Sequence, residues 1–243
     1  MVKIWKLGLM SYDTALKIQL ALARKHLDAM VKGQDCNLDT LLLVEHKPVY
    51  TVGIRDDTSK DEVLRLRSLG AEFRKTSRGG LITFHGPGQL VAYPIINLKH
   101  FKTSVKWYVN NLEETVIKMC EDLGIKANRS AYTGVWVDDN KIASIGIHAS
   151  RYVTTHGISL NCDNDLSWFE HIDPCGIEDK GVTSLAKETG INCSVEKMTP
   201  IFIRNFEKVF ECKSDDLDVK IQEEILNGVY NKLLSHTVVQ KVI

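Results

Sequence analysis

No C-x-x-C pair occurs in this sequence of 243 residues, although it carries six cysteines: Cys36, Cys120, Cys162, Cys175, Cys193 and Cys212. That spacing argues against a disulfide framework and against a structural zinc site of the usual kind. It fits a reducing intracellular compartment, where one functional thiol can stand among inert buried ones. Charge of either sign is not in excess: 31 Lys and Arg balance 31 Asp and Glu, so no global basic field points to nucleic acid. Apolar runs such as Leu41 to Val44 fall far short of the ~20 residues that span a bilayer. The first thirty residues hold no continuous apolar stretch and no small-residue cleavage site, so a secretory signal is not expected. Neither a Walker loop nor a G-x-G-x-x-G fingerprint is present, and a nucleotide phosphate is therefore not the natural guest.

What is present reads as one large domain or two small ones, 44% hydrophobic and 26% charged, an ordinary globular composition. Lys3 to Leu7 alternates as a short strand. After Ser11, a helix N-cap, Leu16, Leu20, Ala23, Leu27 and Met30 recur at helical spacing until Gly33. Short apolar runs over 41–44 and 49–52, split by Lys47-Pro48, predict strands joined by a turn. A short helix is expected from about Lys60 to Leu69, then a glycine-rich strand segment from Phe73 to Asn97. A second long helix starts near Ser104 and stops at Gly124. Val135 to Val137 and Ile142 to Ile147 flank Asp138-Asp139-Asn140 as a hairpin would, and a strand is expected over 157–162. After Thr183 the pattern turns helical. With no long parallel βαβ series, the pattern predicts an α+β fold, a mixed sheet flanked by helices.

Chemistry concentrates in three segments. The first, Arg78 to Gln89, holds four of the sixteen glycines; either these are two tight turns around a hairpin, or they let backbone approach a ligand unhindered by Cβ. In the second, Lys141 follows an acidic turn and is either a solvated hairpin residue or an inward ammonium able to stabilise an anion. In the third, Cys175 lies between Pro174 and Gly176 on a sharply turning backbone. A free thiol titrates near ~8.5 and needs a nearby cation to react at neutral pH. His148, His156 and His171 precede it, which leaves open a Cys/His nucleophile pair or a mixed His/Cys metal site. From Arg74 to Leu112 there is no Asp or Glu but six basic residues, Arg74, Lys75, Arg78, Lys99, Lys102 and Lys106. They are either scattered by chance or form a patch that steers an acidic partner.

Four blocks carry a resemblance: RGGLITFHGPGQLVAYP at 78–94, GVWVDDNKIASIGI at 134–147, HGISLNC at 156–162, and WFEHIDPCGI with GVTSL within 168–185. Together they resemble the lipoyl(octanoyl) transferases, the LipB-type octanoyltransferases, and the wording is nearest to animal mitochondrial forms. The resemblance runs from about Lys6 to Phe210. It implies the fold shared with biotin and lipoate protein ligases, with a catalytic domain over 1–212 and a helical or partly disordered tail over 213–243. It implies that octanoyl passes from octanoyl-acyl carrier protein to a cysteine thioester, then to a lysine of lipoyl domains such as glycine cleavage H protein and 2-oxoacid dehydrogenase E2 subunits. Cys175 is then the nucleophile and Lys141 the residue that lowers its pKa. Arg78, Gly79, Gly80, Leu81, Ile82, Thr83, Phe84, His85, Ser144, Ile145, Gly146, Gly157, Ile158 and Ser159 become acyl-substrate contacts. Backbone N–H groups of Gly79, Gly80 or Gly146 are candidate oxyanion donors. No cofactor, metal, nucleic acid or membrane is implied.

The basic, amphipathic stretch Met1 to Lys32 suits mitochondrial import, yet it also matches the family's first strand and helix, so much of it is expected to stay in the fold. Mitochondrion is the expected location, with bacterial-type cytoplasm as the alternative. Competing activities are an ATP-dependent lipoate or biotin ligase and a lipoyl amidotransferase of the same fold, or a non-catalytic carrier-binding module.

Overall fold

The computed structural model describes residues 1–55, 57–172 and 180–239, with side chains described as far as 231. Strand β1 (Val2–Met10) leads into helix α1 (Tyr12–Val31), whose first turn is closed by the Ser11 hydroxyl accepting the Thr14 N–H at 3.2 Å, a serine N-cap. Strands β2 (Thr40–His46) and β3 (Val49–Val52), helix α2 (Lys60–Ser68) and strands β4 (Glu72–Lys75), β5 (Thr83–His85) and β6 (Gln89–Ile95) follow. Helix α3 (Val105–Asp122), capped by Ser104, precedes β7 (Val135–Val137), β8 (Asn140–Ser150) and β9 (Val153–Asn161). The remainder is β10 (Gly181–Val182), α4 (Leu185–Thr189), α5 (Val195–Val209), β11 (Ser214–Asp216) and α6 (Val219–Val239).

The main sheet runs β10-β8-β9-β6-β2-β1-β11, with β7 pairing on β8; a smaller sheet runs β4-β3-β5. Pairing is mixed: β1 lies parallel to β2 and β11, and β10 parallel to β8, while β2, β6, β9 and β8 are antiparallel in turn. The α+β expectation therefore holds in this form. Successive residues of β2 serve opposite faces, as a pleated strand requires. Leu41 and Leu43 enter the layer beneath α3 and α5, with Leu112, Val116, Phe202 and Phe206. Leu42 and Val44 enter the layer beneath α1 and α6, with Ile18, Leu22 and Tyr93. A third cluster, Tyr50, Leu66, Phe73, Phe84 and Phe169, fills the small sheet.

Two differences from the sequence reading have physical causes. Strand β9 begins at Val153 rather than near Gly157, because the chain kinks at His156 (φ +59°) and continues through it. The division between a catalytic unit over 1–212 and a tail over 213–243 does not coincide with a break in packing. Ser214–Asp216 pairs with β1, and Leu217, Ile225 and Val229 are buried with the α1 layer.

Removing such a buried side chain costs about 2–4 kcal/mol, which for a chain of this size is roughly 5–15 °C in Tm. Ile225→Ala is expected to fall in that range by thermal unfolding; an unchanged Tm would mean that α6 packs outside the core.

Candidate active site

Between the Arg78–His85 segment and the β8–β9 ribbon lies a cavity of about 300 Å³. Its lining includes Arg78, Gly80, Leu81, Ile82, Thr83 and His85 from the first stretch, Lys141, Ser144, Ile145 and Gly146 from β8, and Gly157, Ile158 and Ser159 from β9. Tyr12, Val91, Tyr93 and His156 complete the inner end, and Ala131, Tyr132 and Thr133 the rim near Lys141. Two expected residues lie elsewhere. Phe84 sits between Thr83 and His85 on β5, so the period-2 alternation that turns those two inward turns Phe84 outward; it stacks on Trp168 at 4.9 Å. Gly79 is outside the lining, and its N–H donates to the Ile147 carbonyl at 3.0 Å. That bond removes it from the candidate oxyanion donors.

Arg78 holds the glycine segment in place. Its buried guanidinium donates to the Thr51 carbonyl at 2.6 Å, the Thr51 hydroxyl at 2.9 Å, the Leu81 carbonyl at 3.0 Å and the Gly79 carbonyl at 2.9 Å. It crosses β8 where no Cβ intervenes: one added to Gly146 would lie 2.7 Å from Arg78 Cδ and 2.9 Å from the Gly79 carbonyl oxygen. The remaining polar groups form a directed chain. Asn161 Nδ2 donates to the Thr183 carbonyl (2.9 Å), leaving Oδ1 to accept from Gln89 Nε2 (2.9 Å), which also donates to the Phe84 carbonyl (3.2 Å). Gln89 Oε1 therefore faces His85 Nδ1 at 2.8 Å, so Nδ1 carries the proton and Nε2 accepts from the Thr51 hydroxyl at 3.2 Å; an amide oxygen can only accept.

Burial makes the inner end neutral. It pulls the imidazoles of His85, His46 and His156 down to about 3, 4 and 4, with the Arg78 charge adding to the effect on His85 and His156. Burial also raises the Tyr12 phenol to about 12 against the opposing pull of Arg78. His46 bonds to the Tyr93 hydroxyl at 2.8 Å. The Thr83 hydroxyl, buried on the cavity wall, has no partner among the described residues.

Lys141 is not a solvated hairpin residue: it is 8% exposed. Its Nζ lies 4.8 Å from the centre of the Trp136 ring, a cation–π contact. Its stem passes Gly134 (φ +127°), where a Cβ would come within 3.4 Å of Lys141 Cε and 2.6 Å of the Ala143 carbonyl oxygen. The Lys141 carbonyl accepts the Thr183 N–H at 3.0 Å, and Val182 pairs with Lys141 in the parallel β8–β10 ladder. Neighbouring Lys180 is paired with Asp139.

Cys175, with Pro174 and Gly176, lies outside the described residues. Of the histidines before it, His148 is exposed, His171 half-buried, and His156 bonded within the cavity's inner end. Among the described residues no three His, Cys, Asp or Glu side chains gather as a metal ion needs. The acid-free stretch does not make one patch: Arg74 is held by Asp13 (2.7 and 2.8 Å) and Arg78 is buried, while Lys75, Lys99, Lys102 and Lys106 stay at the surface. Tyr12 and His46 escape a reading of the sequence, since each sits in an ordinary helix or strand with no local signal of its own; Val91 and Tyr93 fall within the 78–94 block but outside the expected contact residues.

The three buried histidines set a pH dependence. Their folded pKa values lie below the unfolded value near 6.5, so the stability they permit is fully present above pH 6.5 and is lost as pH falls toward 4. Each contributes about 1.4 kcal/mol per pH unit in that window. His26, also lowered, acts the same way, and the raised His100 acts only above pH 6.5. Tm is expected to fall steeply between pH 6.5 and 5 by calorimetry; a flat profile there would contradict neutral burial.

The family model for the lipoyl protein ligase A/B catalytic domain matches residues 11–207. The chain is 54% identical over 213 residues to the mitochondrial octanoyl-[acyl-carrier-protein]:protein N-octanoyltransferase of Danio rerio, covering 87% of this chain and 93% of that one. It is 43% identical over 220 residues to the octanoyltransferase of Caldanaerobacter subterraneus, covering 89% and 93%. Among solved structures, the bipartite lipoate protein ligase of Thermoplasma acidophilum, studied with its E2 lipoyl domain, superposes with a TM-score of 0.66 at 13% identity, covering 96% and 93%.

Proposed function

This chain belongs to the lipoyl protein ligase A/B catalytic-domain family, and on that premise we propose that it is an octanoyltransferase of the mitochondrion. It takes octanoyl from octanoyl-acyl carrier protein and passes it to a protein acceptor. The acceptor groups are lysines of lipoyl domains, such as glycine cleavage H protein and 2-oxoacid dehydrogenase E2 subunits. The observation that carries the reading is the cavity itself, which gathers Lys141 with twelve of the fourteen expected contact residues from three separate stretches. Its wall combines apolar Leu81, Ile82, Val91, Ile145 and Ile158 with imidazoles kept uncharged, and of its two lining cations Arg78 turns donors to the backbone carbonyls of Thr51, Gly79 and Leu81. Burying an acyl chain contributes roughly 0.8 kcal/mol per CH₂.

The chemistry follows from an ammonium beside a thiolate. The Cys175 thiolate, stabilised by Lys141, attacks the thioester carbonyl of the carrier-bound octanoyl group. The carrier's C–S bond breaks, and the departing thiolate takes the Lys141 proton, leaving octanoyl-Cys175 and a neutral amine. The acceptor lysine, entering as a free amine, then attacks the new thioester. A C–N bond forms, the Cys175 C–S bond breaks, and Lys141 recovers the proton from the attacking nitrogen. The cycle ends on thiolate and ammonium, as it began. The Thr83 hydroxyl, on the cavity wall with no partner among the described residues, is a candidate hydrogen-bond donor to the bound acyl group.

An ATP-dependent ligase would need no acyl-enzyme. Incubation with octanoyl-carrier protein without ATP is therefore expected to add one octanoyl group by intact mass, removable by hydroxylamine and absent in Cys175→Ser. No adduct, or transfer only with ATP, would overturn the assignment. Separately, Lys141→Met removes the charge and the proton relay at little change in volume, and the acylation rate is expected to drop by about 10²–10⁴ in single-turnover measurements. A drop of less than threefold would remove Lys141 from the chemistry.

A further inference from the structure

Residue 156 is a histidine in the left-handed region at φ +59°, inside strand β9, where bulky side chains are rare. The kink takes its N–H out of the ladder and sends it 2.8 Å to Oε1 of Gln19 on α1. Both residues are buried, and Gln19 Nε2 has no partner among the described residues. An apolar side chain would fill the same space without leaving a donor unpaired, so packing does not account for a glutamine there. The single bond it makes does.

That bond fixes where the His156 ring goes. A strand residue at normal φ would alternate with its neighbours; the left-handed turn instead swings the imidazole to the cavity's inner end. There Nδ1 faces the Tyr12 hydroxyl and Nε2 the Ser77 hydroxyl, each at 3.4 Å, and the ring stands edge-on to Tyr93 at 6.4 Å. The following residue is Gly157, where β9 abuts β6 so closely that a Cβ would lie 2.1 Å from the Ala92 carbonyl oxygen. Tyr12 and Gln19 both come from α1, so one helix supplies the ring and the brace that close the cavity floor.

We infer that Gln19, which does not line the cavity, is a positioning residue that sets the longest acyl chain the enzyme accepts, by holding His156 as the floor. The inference rests on the reading that the cavity holds the acyl chain. A chain that reaches the Tyr12–His156 floor stops there; a longer one must displace hydrogen-bonded rings or leave methylenes in water.

The test compares kcat/KM for hexanoyl-, octanoyl-, decanoyl- and dodecanoyl-carrier protein with a lipoyl-domain acceptor. Gln19→Met, nearly the same size but without the acceptor, is expected to raise the dodecanoyl-to-octanoyl ratio at least fivefold. Gln19→Glu, which keeps an acceptor oxygen, should stay within twofold of the parent. His156→Gly should raise the ratio too, and Gln19→Met added to it should change nothing more, since the brace then has no ring to hold. An unchanged ratio in Gln19→Met, or effects that add, would overturn the inference while leaving the parent enzyme's octanoyl preference intact. If Gln19→Met does not fold, an unchanged ratio in His156→Gly overturns it. A parent enzyme that transfers all four chains equally sinks the acyl reading of the cavity, and this inference with it.

Discussion

A guanidinium buried against carbonyl oxygens is the constraint on which the rest of this molecule depends. Arg78 reaches the carbonyls of Thr51, Gly79 and Leu81 at once, and so ties the glycine segment to β3 and lays it across β8. Sinking a cation is costly unless its donors are filled, and backbone carbonyls and the Thr51 hydroxyl accept from this one. Gly146 makes the crossing possible, because it keeps backbone and guanidinium in contact where any Cβ would force them apart. That crossing, with the Gly79 N–H bond to the Ile147 carbonyl and the pairing of β5 with β3, lays the segment 78–85 over the β8–β9 ribbon and frames the cavity.

The same buried charge shapes the chemistry at a distance. It helps keep His85 and His156 neutral, so the imidazoles of the pocket add no charge to those of Arg78 and Lys141. The hydrogen bonds from Arg78 through Thr51, His85, Gln89 and Asn161 run to the Thr183 carbonyl. Thr183 in turn donates to the carbonyl of Lys141. One cation is committed to architecture; the other, Lys141, lies against the Trp136 ring in the cavity lining, where the proposed proton transfers need it. The two are linked through a continuous, directional set of bonds, which gives the site a defined geometry before any acyl group arrives.

Much of this is legible in the amino-acid order, and the exceptions are instructive. Helix starts at Ser11 and Ser104 and the short apolar run Leu41 to Val44 mark α1, α3 and β2 because these signals are local. The motif blocks place twelve contact residues on one cavity. Phe84 misleads because a motif names consecutive residues while a strand divides them between two faces. Strands β10 and β11, of two and three residues, carry no periodicity; they exist only because an edge of the sheet is there to pair with. Tyr12, His46 and Tyr93 meet through tertiary packing of α1, β2 and β6, and no spacing along the chain announces that.

If the cavity works as proposed, the acyl chain lies along β8 and β9 beneath the Arg78 segment. An NMR spectrum of the octanoyl thioester adduct, with a ¹³C label on the terminal methyl of the chain, locates it most directly. Through-space contacts are expected from that methyl to Val91, Ile158 and the ring protons of Tyr12 or Tyr93. Contacts instead to Leu43, Leu90 or Val195, which line the separate groove between β1 and α5, or a methyl as mobile as in free solution, would contradict that placement.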